Sequence, residues 1–104
     1  MTRTLQVGLL LYPGCMPAGL LAFADMLHAA NRRTGQQLFE TRFMALHKGP
    51  IACAHGLILE ATHAIHDGAL EALLIPGLWA ESAEHIDTAL AANADLVAAL
   101  SIRG

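Results

Sequence analysis

The sequence predicts an α/β fold built on a mostly parallel sheet, and three observations carry the prediction. Val7-Gly8-Leu9-Leu10-Leu11-Tyr12-Pro13-Gly14 is a continuous apolar run that stops at Pro-Gly. Ala72-Leu73-Leu74-Ile75-Pro76-Gly77 is a second run of the same shape. Each is followed by an Ala-rich, helix-prone stretch. Apolar runs bounded by turn residues read as strands buried on both faces, and such strands belong to a parallel sheet covered by helices. In these sheets ligands sit beyond the carboxyl ends of the strands. The two Pro-Gly turns therefore mark where a site is expected.

Leu5 to Tyr12 reads as the first strand. A helix is expected over 17–33: Pro17 suits a first turn, and Leu20, Phe23, Ala24, Leu27 and Ala30 recur at helical spacing. Asp25, Asn31 and Arg32 fall elsewhere on the wheel. Arg32 and Arg33 sit in the last turn, where positive charge is favoured, and Gly35 is the terminator.

Phe39 to His47 alternates, with Phe39, Thr41, Phe43 and Ala45 on one face and Glu40, Arg42, Met44 and Leu46 on the other. This reads as a strand with one wetter end, near a sheet edge. Gly49-Pro50 is expected to turn. Ile51 to Ala54 and Leu57 to Ala61 flank His55-Gly56 as a small hairpin, with Gly56 supplying a positive φ. His66-Asp67-Gly68 reads as a further turn.

Leu73 to Ile75 is the second buried strand. Ser82 is an N-cap, with Glu84 in the first turn of a helix running to Ala92. Asn93 followed by Asp95 reads as a second N-cap and signals a break. A last helix then presents Leu96, Val97 and Leu100, with Gly104 as its terminator. Crossovers around the sheet are expected to be right-handed.

Composition bounds the function. The chain has 104 residues, 55% hydrophobic and 14% charged, against about 25% charged in an average soluble domain. So apolar a sequence needs more burial than one small core offers, which points to a piece of something larger or to a homo-oligomer. The net charge is -3 and Arg32-Arg33 is the longest basic run, so no nucleic-acid surface is expected. The uncharged stretch from Thr4 to Ala24 contains Pro13, Gly14, Pro17 and Gly19, which argue against a membrane span, and it lacks a signal-peptide layout. A cytoplasmic setting follows. Cys15 and Cys53 form no CxxC pair and read as two free thiols, with a disulfide between them as the alternative.

The histidines do not read as a metal centre. His63 and His66 are three apart on a strand end and turn. His28, His47, His55 and His85 have no partner at ligand spacing. No P-loop or GxGxxG is present, and no cofactor is expected.

Four segments taken in order resemble a known family. Val7 to Gly14, Phe23-Ala-Asp-Met-Leu-His-Ala-Ala-Asn31, the Gly56 hairpin and Leu74-Ile-Pro-Gly77 are similar to the start of a class I glutamine amidotransferase-like domain of the ThiJ/PfpI branch. The Asp-Met-Leu-x-x-Ala-Asn ending of the first helix is most like the N-terminal sensing domain of AraC-family transcriptional regulators. The resemblance implies a flavodoxin-like sandwich with a small β-hairpin insertion, of which residues 1–104 form the N-terminal portion. It places a nucleophile elbow after Gly104 and a DNA-binding helix-turn-helix domain further on. DNA contact is thus expected only through a domain outside this chain.

Family enzymes carry an Asp or Glu near the start of the first helix, where a carboxyl supports the nucleophilic thiol. The matching position here is Gly19 or a neighbour, and residues 15–24 contain no carboxylate; Asp25 is the nearest. The second turn carries Leu78 where family enzymes often have a second Gly, although its backbone N–H remains available to an anion or carbonyl. The expectation is therefore a regulator that senses a small-molecule effector, with no catalytic residues in this chain. The alternative is a fragment of a ThiJ/PfpI-type cysteine hydrolase or hydratase. The candidate ligand-binding residues are Gly14, Cys15 and Met16 of the first turn and Gly77, Leu78 and Trp79 of the second.

Overall fold

The computed structural model describes residues 4–68, 70–77 and 82–103. Its elements are β1 (Leu5–Leu10), α1 (Ala18–Thr34), β2 (Phe39–Ala45), β3 (Gly49–Ala52), β4 (Ile58–Ala61), β5 (His63–Ala64), β6 (Ala72–Leu74), α2 (Ala83–Ala92) and α3 (Ala94–Arg103). Four strands form one sheet in the order β5-β2-β1-β6, and every pairing in it is parallel. β3 and β4 form a separate antiparallel ribbon. The fold is the α/β, mostly parallel arrangement with a hairpin insertion that the sequence predicts.

The period-two pattern of β1 divides the core. Val7, Leu9 and Leu11 face a cluster that includes Leu20, with Phe23, Ala24 and Leu27 of α1 packed against it. Leu10 faces the opposite cluster with Ile65, Leu96 and Ala99. Leu9, Leu10 and Leu11 are fully buried, because β1 has a strand on each side and a helix over each face. Gly8 makes the second face possible: a Cβ there would meet side-chain atoms of Leu70, Leu73 and Met44 at 2.7, 2.9 and 2.9 Å.

The second apolar run behaves differently from the first. β6 pairs with β1 alone among the described residues, so Leu73 and Leu74 are half-buried and Ile75, just past the strand, is 55% exposed. The expectation of burial on both faces fails here, because apolar composition does not supply the missing neighbour. β6 also starts and ends one residue earlier than the sequence suggests.

β2 alternates as expected. Phe39, Phe43 and Ala45 pack on the α1 side, and Leu46 packs on the other. It lies inside the sheet rather than at the edge, because the two residues of β5 pair with Met44 and Ala45. Its first residues keep β1 as their partner, which accounts for the wetter end. β5 is too short to leave a periodicity signal.

The hairpin is longer on its first side than expected. Gly49 and Pro50 belong to β3, opposite Ala61 and Glu60. Proline is tolerated because it lacks only an N–H, and β3 has a single partner strand. In the turn, His55 as well as Gly56 takes a positive φ, 64° and 74°. A two-residue hairpin turn of the mirror-image type requires both, and histidine enters that region more readily than most side chains.

The helix ends follow local chemistry. Pro17 precedes α1, and its carbonyl accepts from the Leu21 N–H at 3.0 Å. Gly35 ends the helix with φ 69°. The break at Asn93 is present, but its side chain donates back to the Ala89 carbonyl of α2 at 2.9 Å. Its own carbonyl accepts the first bond of α3, from Val97, at 3.0 Å. On α3 the buried face is Leu96 and Ala99 with Leu100 half-buried. Val97 is 46% exposed, against the expectation that it faces the core. The small Ala99 lets α3 sit close to the sheet on that side. Gly104, expected as the terminator, lies outside the described residues.

Candidate functional site

The site is defined by strand order. From β1 the chain passes through α1 to β2 on one side, continues to β5, and returns to place β6 on the other side of β1. The connections leaving β1 and β6 therefore diverge, and the crevice between their carboxyl ends is a topological switch point. Both Pro-Gly turns lie there.

The two turns are bonded to each other. The Met16 N–H donates to the Gly77 carbonyl at 2.9 Å. The Tyr12 hydroxyl donates to the Pro76 carbonyl at 2.8 Å. Within the first turn the Cys15 N–H donates to the Tyr12 carbonyl at 3.0 Å, and Gly14 takes φ 82°, a conformation that suits glycine. Burial holds the Tyr12 phenol above its usual pKa, with the neighbouring Cys15 adding to the effect. Tyr12 is thus a neutral donor at physiological pH.

A cavity of about 440 Å³ opens at this junction, lined by Met16, Gly19, Leu20, Phe23, Leu74, Ile75, Pro76 and Gly77. None of these described residues has a titratable side chain, so among them polar contact with a guest falls to the backbone. A Cβ placed at Gly19 meets nothing within 4 Å. The space beside Gly19 on the cavity wall is therefore open.

Tyr12 does not line this cavity but borders two neighbouring hollows. One, about 180 Å³, is apolar and lies against α2 and α3, with Leu10, Ile75, Leu90 and Val97 in its wall. The other, about 300 Å³, lies between the first turn and the hairpin and brings His47, Lys48, Asn93 and Asp95 to its lining. Among the described residues no three His, Cys, Asp or Glu side chains stand together as a metal would need, and no helix is long and apolar enough to cross a membrane.

Of the six candidate residues, Met16 and Gly77 line the 440 Å³ cavity. Gly14 is half-buried in the turn behind it, where its N–H donates to the Ala52 carbonyl at 2.9 Å. Cys15 is fully buried and meets Cys53 instead. Leu78 and Trp79 lie outside the described residues. Sequence reasoning did not single out Tyr12, Leu20 or Phe23 as site residues. Tyr12 had a readable signal, an aromatic hydroxyl placed one residue before Pro-Gly at a strand end. Leu20 and Phe23 had none that separates a cavity wall from a core-facing helix stripe.

An open parallel sheet with helices on both faces, and a crevice at the switch point beside its first strand, defines the doubly wound, flavodoxin-like class. Solved structures agree. The chain is similar to a protein from Vibrio parahaemolyticus described as a transcriptional regulator, with a TM-score of 0.68 and 20% identity over 98% of this chain and 53% of that one. It is also similar to an AraC family transcriptional regulator from Pseudomonas putida, with a TM-score of 0.56 and 21% identity over 86% of this chain and 60% of that one. At such identities the likeness establishes the fold. The chain spans little more than half the length of either structure. No protein-family model matches the sequence, and no curated protein matches it.

Proposed function

We propose that this chain is the N-terminal, effector-sensing part of an AraC-type transcriptional regulator, and that it binds its effector without transforming it. The observation that carries the reading is the lining of the switch-point cavity: among the described residues, eight line it and none has a titratable side chain. General acid–base catalysis needs a proton donor or acceptor within hydrogen-bond reach of the reacting atom, and a supported nucleophile needs a neighbouring base or charge. The cavity walls offer apolar surface and backbone groups, which suit binding of a small, largely apolar metabolite. The two similar structures are both described as transcriptional regulators, which supports the same direction.

The two turns supply a route from binding to response. One follows β1 and the other follows its neighbour β6, and they are joined by the Met16–Gly77 and Tyr12–Pro76 hydrogen bonds. A guest wedged between Met16, Phe23 and Ile75 bears on the segments that follow both strands at once. In the whole protein that shift would be read by a second copy of the chain and passed to a DNA-binding domain, while this part contacts effector and partner subunit.

The test is a thermal-shift screen of small apolar and amphipathic metabolites on the purified chain, repeated with Gly19→Trp, which fills the cavity from its wall. A true effector at a hundredfold excess over its Kd stabilises the chain by about 2.7 kcal/mol. It is recovered chemically unchanged, and its effect is lost in Gly19→Trp. Conversion of the compound by the protein extended past Gly104, where the resemblance places the nucleophile, would instead establish the hydrolase or hydratase alternative.

A further inference from the structure

We propose that Cys15 and Cys53 are a modification site: a dithiol that a small hydroperoxide closes to an intramolecular disulfide, tying the β3–β4 arm to the turn after β1. The two residues are 38 positions apart in sequence, yet the Cys15 thiol donates to the Cys53 sulfur across 3.6 Å. A disulfide needs the sulfurs at about 2.05 Å. The backbones on either side are already tied together, since the Ala54 N–H donates to the Cys15 carbonyl at 2.8 Å and the Gly14 N–H donates to the Ala52 carbonyl at 2.9 Å. Closure therefore asks for side-chain rotation and a small adjustment between segments that are already docked.

Burial decides which oxidant and which product are accessible. Cys15 is 0% and Cys53 7% exposed, so the pair faces inward, where a second chain cannot reach it but a molecule the size of hydrogen peroxide can during local opening. The first thiolate attacks one peroxide oxygen. The O–O bond breaks, and hydroxide leaves and is protonated to water, giving a sulfenic acid. The second sulfur then attacks the sulfenyl sulfur. The S–S bond forms, the S–O bond breaks, and a second water leaves with the remaining thiol proton. Two thiols are oxidised by two electrons in all, and one peroxide is reduced to two waters. Burial, and then the hydrogen bond shared with Cys15, push the Cys53 thiol up to about 11. Since the thiolate is the reactive form, oxidation quickens as pH rises from neutral.

The bridge would act on the hollow beside the effector cavity. Gly49, Pro50 and Ile51 of the arm form one side of the 300 Å³ hollow, and Tyr12 and Pro13 form the other. Cys53 follows the first group and Cys15 the second, so the cross-link fixes the separation of the two walls. It does not depend on the effector reading.

The experiment treats the reduced, folded chain with hydrogen peroxide and follows intact mass, thiol titre and the cross-linked peptide. The expected product has lost two hydrogens and both titratable thiols, contains a peptide linking Cys15 to Cys53, and is restored by dithiothreitol. Amide exchange at Gly14 and Ala54 slows roughly tenfold on oxidation, as local opening there is suppressed. Cys15→Ser and Cys53→Ser each accumulate the oxygenated thiol and form no link within the chain. Overoxidised thiols without a link in the unmodified chain, a link only between chains, or a link that forms only in denaturant would each overturn the proposal.

Discussion

The backbone N–H of Met16 donates to the carbonyl of Gly77 across 2.9 Å. This single bond closes a crevice that strand order alone would leave open. Residue 16 follows β1 and residue 77 follows β6, and the two connections run to helices on opposite faces of the sheet. Both participants are backbone groups, so the closure survives side-chain substitution at either position. What a side chain adds is the parallel contact of Tyr12 with Pro76, and that one is open to test.

Tyr12→Phe is expected to destabilise the chain by about 1 kcal/mol, the usual net worth of a hydrogen bond to a partly buried carbonyl. The ring stays, so the clusters on both faces of β1 keep their packing. Urea unfolding should show a lower midpoint with an unchanged slope, since the surface exposed on unfolding is the same. A loss beyond about 3 kcal/mol would mean that Tyr12 holds more of the crevice than one bond.

Asn31→Ala is expected to cost more, about 2–3 kcal/mol. The Asn31 side-chain oxygen accepts from the Leu38 and Phe39 N–H groups at 2.8 and 2.9 Å, and its amide donates to the Phe39 carbonyl at 2.8 Å. Truncation strips the Phe39 N–H of its side-chain acceptor and the Phe39 carbonyl of a donor, in a half-buried corner. Asn31→Asp keeps the acceptor but sets an anion against the Phe39 carbonyl, so it should fall between the two. Equilibrium unfolding of the three proteins checks the order.

The parts of this fold legible in the sequence are those set by local chemistry. The β1 run, the Gly35 stop, the Asn93 break and the two faces of β2 all follow from patterns within a few residues. The misjudged parts depend on neighbours distant in sequence. Leu73 to Ile75 reads like Leu9 to Leu11, but β6 has one partner strand where β1 has two. Asn31 looks like a residue off the apolar face until β2 arrives beside it. The candidate site was legible in the same partial way. The Pro-Gly turns mark the switch-point crevice, but Cys15 turns inward to a partner 38 residues away.

Gly8→Val is expected to destabilise by about 1–3 kcal/mol through overpacking. The first added carbon meets Leu70, Leu73 and Met44 side-chain atoms inside 3.0 Å. Those atoms are the ends of flexible side chains, so the fold yields rather than fails. Circular dichroism should stay native at low temperature, with a lowered Tm.

Stability should fall with rising alkalinity, partly through Cys53. Its folded pKa of about 11 lies above the ordinary value of 9.0, with burial the main cause. A raised pKa means that the folded state holds the proton more tightly than the unfolded chain does. The stabilisation is therefore complete below pH 9 and is lost as pH climbs toward 11. Under reducing conditions, Tm should drop more steeply over that interval in the unmodified chain than in Cys53→Ala. Equal slopes would show that the thiol stays protonated, or ionises freely, in both states.

Gly19→Ala should stabilise the chain by about 0.5–1 kcal/mol. Glycine in a helix costs about that much relative to alanine, because the unfolded chain has more freedom to lose. Gly19 is the second residue of α1, and an added methyl meets nothing within 4 Å, so no steric term offsets the gain. Gly19 lies in the wall of the 440 Å³ cavity, so a methyl there takes up little of it, whereas the indole of Gly19→Trp is expected to fill much of it. The two substitutions separate stability from binding. If the cavity holds the effector, alanine raises Tm and leaves the effector-induced shift nearly intact, and tryptophan abolishes that shift in a chain that still folds. A tryptophan variant that binds as well as the original would move the effector away from α1, toward one of the two hollows that Tyr12 also borders.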